Sequence, residues 1–235
     1  MNHSVNLLWT GGWDSTFRLL DLILIQRKTV QPYYLISTER KSSQVEVETM
    51  DKIRSLLYRQ NPEAKELLLP TTYQKVSTIL PDETISAHFA ALKASAFLGS
   101  QYDFIARFAQ ESNLKNLELS VHKDDHAQKF LAPYVINENG ICRLRSDHGF
   151  PDISIFRFFH FPILDLTKRN MEELAKKHGF LNLLNLTVFC HTPLANGKPC
   201  GYCNPCRYTM EEGLSRRIPL MPRMKFHIKR LLKAK

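Results

Sequence analysis

The stretch WTGGWDST occupies residues 9–16 and directly follows the short apolar run Val5–Trp9. An amphipathic stretch, Phe17–Ile25, comes next, so the order predicts a buried strand, a Gly-Gly turn and the start of a helix. Glycines let backbone N–H groups approach an anion closely, and a helix N-terminus adds partial positive charge. The stretch therefore predicts a phosphate-binding loop at the start of an α/β domain.

This loop differs from two common nucleotide-binding motifs. No Lys follows the glycines as in a Walker P-loop, and the glycine spacing of the dinucleotide-binding fingerprint is absent. Asp14, Ser15 and Thr16 offer oxygens at the predicted helix start, which suits helix capping, phosphate contact or Mg²⁺ coordination. The simpler alternative is a tight strand-to-helix turn that Asp14 caps and that binds no ligand.

Four cysteines form the second informative pattern, a C-x9-C-x2-C-x2-C array of Cys190, Cys200, Cys203 and Cys206. Three thiols at this spacing, with a fourth from a longer loop, can close a tetrahedral Zn²⁺ site. Redox chemistry at a C-x-x-C pair and a disulfide are the alternatives. Four thiolates leave no coordination position for water, so we expect a structural metal. Cys142 is then a reduced, partly buried thiol.

Positive charge is concentrated near the C-terminal end. The 235-residue chain has a formal net charge of +9, of which residues 207–235 contribute +7 and residues 1–206 contribute +2. The main domain is therefore nearly neutral, and a contact with a polyanion is expected at the tail. We expect neither a membrane span nor a cleavable leader, and the cysteine usage fits a cytoplasmic protein in a reducing compartment.

Short apolar runs alternate with helical patterns in the first half, which is typical of a parallel α/β sheet. The predicted strands are Val5–Trp9, Tyr33–Ser37, Lys65–Leu69, Leu117–Val121 and Phe161–Leu164. The predicted helices are Asp14–Gln26, Gln44–Tyr58 and a helix from Thr167 to His178, and Ile85–Gln110 is predicted either as one long helix or as two with a break at Gly99. A hairpin-like insertion is predicted within Asn137–Phe161. We expect three parts: an α/β domain at residues 1–186, a zinc-binding segment at 187–213 and a basic tail or helix at 214–235.

Three pieces of the chain carry a resemblance to a known family: GGWDST at 11–16, FPILDLTK at 161–168 and KPCGYCNPCR at 198–207. In this order they resemble the 7-cyano-7-deazaguanine synthases of the queuosine and deazapurine pathways, which are PP-loop ATP pyrophosphatases. The resemblance implies a parallel sheet sandwiched by helices, a C-terminal Cys₄ zinc segment and a homodimer. It also implies that ATP and Mg²⁺ serve to adenylate the carboxylate of 7-carboxy-7-deazaguanine with release of pyrophosphate. Ammonia would then give the amide, and a second activation the nitrile.

The loop chemistry and the resemblance together define an expected site. Backbone N–H groups of the two glycines and hydroxyls beside them would hold the pyrophosphate portion of ATP, and adenine would lie at the end of the second strand, near residues 36–38. The expected ATP-binding residues are Trp9, Thr10, Gly11, Gly12, Trp13, Asp14, Ser15, Thr16, Ile36, Ser37, Gly99 and Arg107. The expected catalytic residues are Asp14, Ser15 and Lys123, with Asp14 either beside Mg²⁺ or acting purely as an N-cap.

The chain departs from the family pattern in two places. Thr10 replaces a Ser but keeps the hydroxyl. Gly99-Ser100-Gln101-Tyr102 stands where the family usually has Gly-Arg-Asn-Thr, which removes a cation expected near the nucleotide or substrate. Arg107 or Lys123 is the candidate replacement for that cation.

Three functions stay open at this stage. The first is the small-molecule nitrile synthase. The second is a ligase that transfers the activated deazaguanine acyl group to an amine on a protein or nucleic acid. The basic C-terminus and the missing Arg-Asn pair favour it, and divergent relatives in antiphage defence operons make it credible. The third is a nucleotide-binding module without catalysis, which the intact loop hydroxyls and Asp14 disfavour.

Other noticeable patterns have simpler explanations. The run His122–His126 contains two His and two Asp, but such a run after a strand is more often a solvated loop than a metal site. The aromatic run Phe156–Phe161 is interpreted as core. Residues 222–235 show helical spacing of apolar and basic residues, which suits a polyanion, a partner protein, a membrane surface or simple packing on the domain.

Overall fold

One mixed sheet crosses the part of the chain described by the computed structural model, which covers residues 4–37, 42–95 and 98–233, with side chains to residue 228. Its strands are β1 (Val5–Leu8), β2 (Val30–Ile36), β3 (Thr72–Lys75), β4 (Leu117–Glu118), β5 (Val135–Glu138), β6 (Ile141–Leu144) and β7 (Phe159–Phe161). Their order across the sheet is β3-β2-β1-β4-β7-β6-β5. Neighbours from β3 to β7 are parallel, whereas β6 is antiparallel to both β7 and β5.

Helices flank this sheet on both faces. They are α1 (Trp13–Leu20), α2 (Ser43–Gln60), α3 (Ala64–Leu67), α4 (Glu83–Ser95), α5 (Gln101–Glu111), α6 (His126–Leu131), α7 (Lys168–Lys177), α8 (Leu181–Leu184), α9 (Asn204–Glu211) and α10 (Leu220–Lys233). Successive strand residues point to opposite faces, so Leu7 and Tyr34 join the core under α1, α2, α7 and α8. Leu8 and Leu35 join the core under α4 and α5. The predicted α/β class is confirmed.

Strand β1 lies at the centre of the parallel part of the sheet. The next strand in the chain, β2, pairs with it on one side, while β4 pairs with it on the other. The chain thus leaves β1 in two directions, and the carboxyl ends of all three strands share one edge. In α/β sheets, ligands bind outside the carboxyl ends of strands at such a reversal. The topology therefore places the loop at residues 9–16 where ligand-binding crevices form.

A buried ion pair orients α1 above this edge. Arg18 donates from Nε and Nη2 to Glu118 at 2.7 and 2.8 Å, and from Nη1 to Asp21 at 2.7 Å. Carboxylates thus accept hydrogen bonds on two edges of the planar guanidinium group, which offsets the cost of burying its charge. The pair with Glu118 links α1 to β4. After Leu20 the helix continues through a π-helical turn, Asp21–Ile25.

Helix α7 begins and ends as the sequence predicts. The Thr167 side chain accepts a hydrogen bond from the Asn170 amide at 3.1 Å, and the Asn170 side chain accepts one from the Thr167 amide at 3.1 Å. This reciprocal capping box fixes the first turn. The helix ends before Gly179, whose φ of +76° suits the residue after a helix. Lys168 is consequently held at the first position of α7.

Two strand predictions need correction. The strand predicted at Lys65–Leu69 is wrong, because Ala64–Leu67 forms a helical turn and Leu68 makes a single bridge to Val30. The third strand is Thr72–Lys75, an edge strand whose side chains are mostly exposed, so its sequence carries no apolar signal. The strand predicted at Phe161–Leu164 is instead β7 at Phe159–Phe161, preceded by a 3₁₀ segment.

Three other features of the sequence have a clear outcome. The insertion contains the hairpin β5–β6, which extends the sheet through β6 and β7. Of the two alternatives for Ile85–Gln110, the structure has two helices, with α4 ending at Ser95 and α5 beginning at Gln101. The aromatic run is core, since Phe156, Phe159 and Phe161 are at most 1% exposed.

The C-terminal part has a small core of its own. Cys200, Cys206, Met210 and Ile218 are buried together, with Phe189, Cys190, Cys203 and Phe226 packed against them. Beyond this core, α10 exposes Leu220, Met221, Met224 and Ile228. The side chains of Leu231 and Leu232, predicted on the same helix, lie outside the described residues. Among the helices of the described ranges, none combines the length and hydropathy that crossing a bilayer requires.

Candidate functional site

Residues 9–16 form a compact loop whose polar groups bind one another. Gly11 has a φ of +69°, and Gly12 precedes the first turn of α1 in an extended conformation. The Ser15 hydroxyl accepts a hydrogen bond from the Thr10 amide at 3.2 Å and lies 3.2 Å from the Thr10 hydroxyl. Within the described ranges, no side chain caps α1. Its first N–H groups are therefore left without a described side-chain partner, which is the arrangement that an anion-binding helix N-terminus requires.

Gly11 is required by both its backbone and its surroundings. A Cβ at this position would lie 3.0 Å from the Glu46 carbonyl oxygen and 3.2 Å from Met50 Cγ. We expect Gly11→Ala to lower the free energy of unfolding by about 2 kcal/mol, through left-handed strain and the clash with α2. Urea denaturation measures this change.

The matched control is Gly140→Ala in the β5–β6 turn. Gly140 has a φ of +82°, but a Cβ there would meet nothing within 4 Å. Its substitution should cost about 1 kcal/mol from backbone strain alone. Equal shifts in the two denaturation midpoints would mean that α2 does not constrain the loop.

A cavity of about 250 Å³ opens beside the loop at the carboxyl edge of the sheet. Its lining comprises Leu8, Thr10, Gly12, Asp14, Ser15, Tyr34, Leu35, Gln101, Tyr102, Phe104, Ile105, Leu119, Ser120, Val121 and Asp125. We call this space the loop cavity. Ser120 Oγ is buried there without a hydrogen-bond partner among the described residues. A buried hydroxyl without a partner costs stability, so a ligand that bonds to it would be favoured.

Four charged or ionisable side chains, Asp14, His122, Lys168 and Glu212, meet behind the loop. Lys168 Nζ lies 2.7 Å from Glu212 Oε2 and 3.8 Å from Asp14 Oδ2. His122 Nε2 lies 3.5 Å from Glu212 Oε1 and 3.8 Å from Asp14 Oδ1. Asp14 Oδ1 is buried and has no hydrogen-bond partner in the described ranges. We call these four residues the charge cluster.

The hydrogen bonds of His122 define its tautomer. Its Nδ1 accepts a hydrogen bond from the Asp124 amide at 3.1 Å, so that nitrogen carries no proton in this arrangement. The proton of the neutral ring is then on Nε2, which faces the carboxylates of Asp14 and Glu212. His122 Nε2 thus faces both carboxylates at distances longer than an ordinary N–H···O hydrogen bond.

Burial and charge oppose each other within the cluster. Burial lowers the pKa of Lys168, but the carboxylates of Asp14 and Glu212 outweigh burial and hold that pKa above its ordinary value. Burial raises the pKa of Glu212, and the neighbouring Lys168 only partly offsets this rise. Lys168 is therefore a cation at neutral pH, and it lies next to Asp14 of the loop.

Arg217 joins the loop to the C-terminal segment. Its guanidinium carbon lies 4.9 Å from the centre of the Trp13 ring and 4.8 Å from that of Phe189. It also donates hydrogen bonds to the carbonyl and hydroxyl oxygens of Thr187. Burial lowers the pKa of Arg217 to about 10, so the side chain stays charged at neutral pH. A cation between two aromatic rings is stabilised by both π faces, and this holds Trp13 in place.

The predicted site residues fall into three groups. Thr10, Gly12, Asp14 and Ser15 line the loop cavity. Trp9, Trp13 and Thr16 are buried and do not line the cavity, and Trp9 Nε1 donates a hydrogen bond to Thr16 Oγ1 at 3.0 Å.

The third group lies outside the cavity lining. Ile36 packs on the core under α2, and the Ser37 carbonyl oxygen accepts a hydrogen bond from Ser43. The adjacent residues Tyr34 and Leu35 line the cavity in their place. Thr38, the far end of the stretch predicted to contact adenine, lies outside the described residues.

The predicted replacement cations lie away from the cavity lining. Arg107 pairs with Asp103 at 2.9 Å and donates to the Leu80 carbonyl oxygen, while Lys123 has an exposed side chain. Gly99 lies just before Gln101, which does line the cavity. Among the described residues, Lys168 is the lysine that pairs with the loop carboxylate of Asp14. In the sequence, Lys168 is marked by its place at the end of FPILDLTK, directly after a capping Thr. No sequence pattern near Glu212 or Arg217 marks those two residues as part of a site.

The four cysteine sulfurs Cys190, Cys200, Cys203 and Cys206 form one cluster. All four lie within 4.8 Å of one another, and the pairs Cys200–Cys206 and Cys190–Cys203 are 3.9 Å apart. Four sulfurs about 2.3 Å from a central Zn²⁺ would be about 3.8 Å apart, so the cluster matches a tetrahedral metal site. It could hold a metal such as zinc. A disulfide needs a much shorter S–S separation, about 2.05 Å.

The surroundings of the cluster favour a thiolate at one position. Burial opposes ionisation of Cys200, but hydrogen bonds from the Thr192 hydroxyl and from the amides of Tyr202 and Cys203 lower its pKa to about 6. Burial raises the pKa of Cys206. A cation at the centre would stabilise the thiolate form of all four ligands.

Comparison with known proteins leaves the site to be interpreted from its own geometry. No protein-family model matches the chain, and no curated protein matches it in sequence.

Proposed function

We propose that this protein is an ATP-dependent ligase that transfers AMP to a carboxylate and releases pyrophosphate. The observation that carries the proposal is the Gly11–Gly12 turn, which opens into the loop cavity at the point where the strand order reverses. The N–H groups at the start of α1, which no described side chain caps, and the hydroxyls of Thr10 and Ser15 suit the phosphates of a nucleotide. A loop that served only as a turn would not need an uncapped helix facing a cavity.

In this mechanism the protein positions the phosphates and neutralises their charge. The substrate carboxylate attacks the α-phosphorus of ATP while the bond to the leaving pyrophosphate breaks. The loop amides and hydroxyls hold the departing phosphates, and the Lys168 ammonium supplies positive charge behind them. Adenine would lie against the end of β2, beside Tyr34 and Leu35.

A magnesium ion fits the donors at Asp14. Its buried Oδ1 has no hydrogen-bond partner in the described part of the chain, and a carboxylate oxygen is a preferred Mg²⁺ ligand. The ion would neutralise charge on the phosphates. Asp14 would hold it, while Lys168 and His122 orient Asp14.

The identity of the carboxylate rests on the resemblance to 7-cyano-7-deazaguanine synthases. On that basis the substrate is 7-carboxy-7-deazaguanine, and the activated acyl group passes to ammonia. A second acceptor, an amine on a protein or nucleic acid, is favoured by the basic helix α10, which exposes Met221, Met224 and Ile228.

One reaction series separates these possibilities. ATP, 7-carboxy-7-deazaguanine and ammonia are incubated with the protein, and the products are identified by mass spectrometry. A nitrile supports the small-molecule synthase, whereas AMP formed only with a macromolecular acceptor supports the second function. Absence of AMP under every condition would refute ligase activity and leave a nucleotide-binding module.

Removing one loop hydroxyl tests the proposed site. We expect Ser15→Ala to lower the rate of pyrophosphate release about 100-fold, because a donor aimed at developing charge is lost. The cost in the free energy of unfolding should be about 1 kcal/mol, since one hydrogen bond with the Thr10 amide disappears.

The control is Ser95→Ala at the end of α4, where the hydroxyl bonds the Leu92 carbonyl oxygen away from the cavity. Its activity should match that of the parent protein. If Ser15→Ala also kept full activity, the loop would not bind the phosphates.

For the cysteine cluster we propose a structural zinc ion held by all four thiolates, with no position open to water. We also propose a homodimer, on the resemblance alone, and a cytoplasmic, reducing setting, on the cysteine usage. Sedimentation analysis at several protein concentrations measures the oligomeric state.

A further inference from the structure

Helix α10 presents an apolar surface to solvent. Four of its side chains are each more than half exposed, those of Leu220, Met221, Met224 and Ile228. Among the other described residues, only Leu80 and Tyr202 expose a large hydrophobic side chain to that extent. Helical spacing places the four side chains within an arc of about 100°, along about 12 Å of the helix. We call this surface the α10 strip.

The opposite side of α10 packs on the small core around the cysteines. Pro222 is buried, and Phe226 packs against that core. The contact is close, since Gly201 has no room for a Cβ beside Pro222. Helical spacing puts Pro222 and Phe226 about 170° around the helix from the middle of the α10 strip. The strip therefore faces away from the domain, while the other side of the helix is held by the core.

The charge around the strip has one sign. Residues 213–235 contain eight Lys or Arg and no Asp or Glu. By helical spacing, Lys225 lies at one edge of the strip, and Arg223 and His227 lie at the other. Long basic side chains can lay their methylene groups on an apolar surface and keep their charge in polar surroundings. An apolar strip with cations at both edges is typical of a helix that lies in the plane of a membrane surface.

Other occupants fit this surface less well. A protein cleft that encloses a target helix would have to separate Pro222 and Phe226 from the core around the cysteines. The phosphates of a nucleic acid would pair with the cations but leave the apolar strip in water. A second copy would bring together two segments of like charge, since residues 213–235 hold no carboxylate side chain. A flat anionic lipid surface covers the strip while the helix stays on its core.

We propose that α10 docks this protein on a membrane surface that contains anionic lipids. The α10 strip contacts the boundary of the acyl chains, and the basic side chains lie among the phosphate headgroups. The attraction to the headgroups is screened by salt, so binding is reversible and depends on ionic strength. This contact goes beyond the proposed ligase reaction and does not depend on it, because no residue of the strip lines the loop cavity.

The test is sedimentation of the full-length protein with lipid vesicles. One set of vesicles contains phosphatidylcholine alone, and the other contains phosphatidylcholine with phosphatidylserine. At low salt we expect partition onto the phosphatidylserine vesicles to be about 20-fold or more stronger, because several cations each gain from the anionic surface. High salt should remove most of this difference. Equal partition onto both sets at low salt would overturn the proposal. Binding to neither set would also overturn it, and would leave an acidic protein surface as the occupant.

The double variant Met221→Ser/Met224→Ser tests the strip itself. Both side chains are exposed, so the midpoint of thermal unfolding should match that of the parent protein. Partition onto the phosphatidylserine vesicles should fall about tenfold, since two apolar groups no longer reach the acyl chains. Leu80→Ser is the matched control, because Leu80 is similarly exposed but lies before α4. It should bind as the parent does. Full vesicle binding by the double variant would mean that charge alone acts, and would overturn the proposed contact.

Two further measurements identify the remaining occupants. Sedimentation velocity compares the oligomeric state of the parent and the double variant, and a dimer that dissociates only in the variant would make the strip a contact between copies. A duplex oligonucleotide is also titrated against both proteins. If it bound more tightly than the vesicles, and equally in parent and variant, the basic segment would be a nucleic-acid contact. Either result would overturn the membrane assignment, whereas an unchanged oligomeric state and weaker binding of the duplex support it.

Discussion

Lys168→Met is expected to lower the rate of pyrophosphate release by about 1000-fold, since it removes a mostly buried cation that lies next to Asp14 of the loop at residues 9–16. Lys168 Nζ lies 3.8 Å from Asp14 Oδ2, and the pKa of Lys168 is held above its ordinary value by Asp14 and Glu212. The ammonium is therefore present when negative charge develops on the leaving phosphates. Initial rates at saturating ATP measure the effect.

The same substitution also affects folding, so stability must be separated from catalysis. Without Lys168, the Glu212 carboxylate is buried without its partner at 2.7 Å, and the free energy of unfolding should fall by about 3 kcal/mol. The double variant Lys168→Met/Glu212→Gln removes the uncompensated charge and should regain most of that stability. Its rate should stay low.

A surface lysine on the same helix provides the control. Lys176 is exposed and pairs with Glu172 at 2.9 Å, and Lys176→Met should change the rate less than twofold and the stability by less than about 0.5 kcal/mol. If the double variant recovered its rate together with its stability, Lys168 would only hold the fold, and its charge would have no part in the reaction.

The sequence predicted those parts of the molecule whose signals are local. Residues 9–16 form the predicted turn between a buried strand and a helix, because two glycines between an apolar run and a helical pattern permit little else. The capped start of α7 and the hairpin β5–β6 carry equally local patterns. The four cysteines lie together as their spacing predicted.

Features that depend on pairing between distant parts were not predictable from one sequence. β3 is polar and lies at the sheet edge, so only its pairing with β2 makes it a strand. Glu212 and Arg217 reach the loop because the segment after the cysteines folds back onto α1. Neither residue has a neighbour in sequence that marks it. The cations predicted near the nucleotide, Arg107 and Lys123, were chosen for their closeness in sequence to predicted elements, whereas Lys168 follows the last parallel strand.

The segment after the cysteines folds back onto the loop at residues 9–16, and helix α9 sets the position of Glu212 within it. Cys203 is the N-cap of helix α9, Cys206 lies in its first turn, and Glu212 directly follows its last residue. A short helix of this kind has little stability of its own, so the position of Glu212 depends on what holds its first turn. The cysteine cluster thus lies at the first turn of α9, and Glu212 of the charge cluster lies just after its last turn. The 3₁₀ turn that carries Arg217 follows α9.

Removal of the metal is therefore expected to abolish pyrophosphate release as well as to unfold the C-terminal segment. A structural Zn²⁺ supplies about 10–16 kcal/mol of apparent binding free energy, more than the small core around Met210 and Ile218 could replace. Cys200→Ser should lose about one equivalent of zinc per chain by elemental analysis. It should also become sensitive to protease within residues 187–213 and lose most of its ligase rate, because Glu212 and Arg217 leave the loop.

Cys142→Ala is the appropriate control, because Cys142 is a buried thiol on β6 outside the cluster. It should keep its zinc and its activity, so a loss in Cys200→Ser cannot be ascribed to thiol removal in general. A zinc-selective chelator, with Mg²⁺ kept in excess, should reproduce the Cys200→Ser behaviour in the parent protein, and added Zn²⁺ should restore it. Full pyrophosphate release from a zinc-free protein with an intact C-terminal segment would show that the helix is held by its core alone, since the metal would then contribute nothing to the position of Glu212.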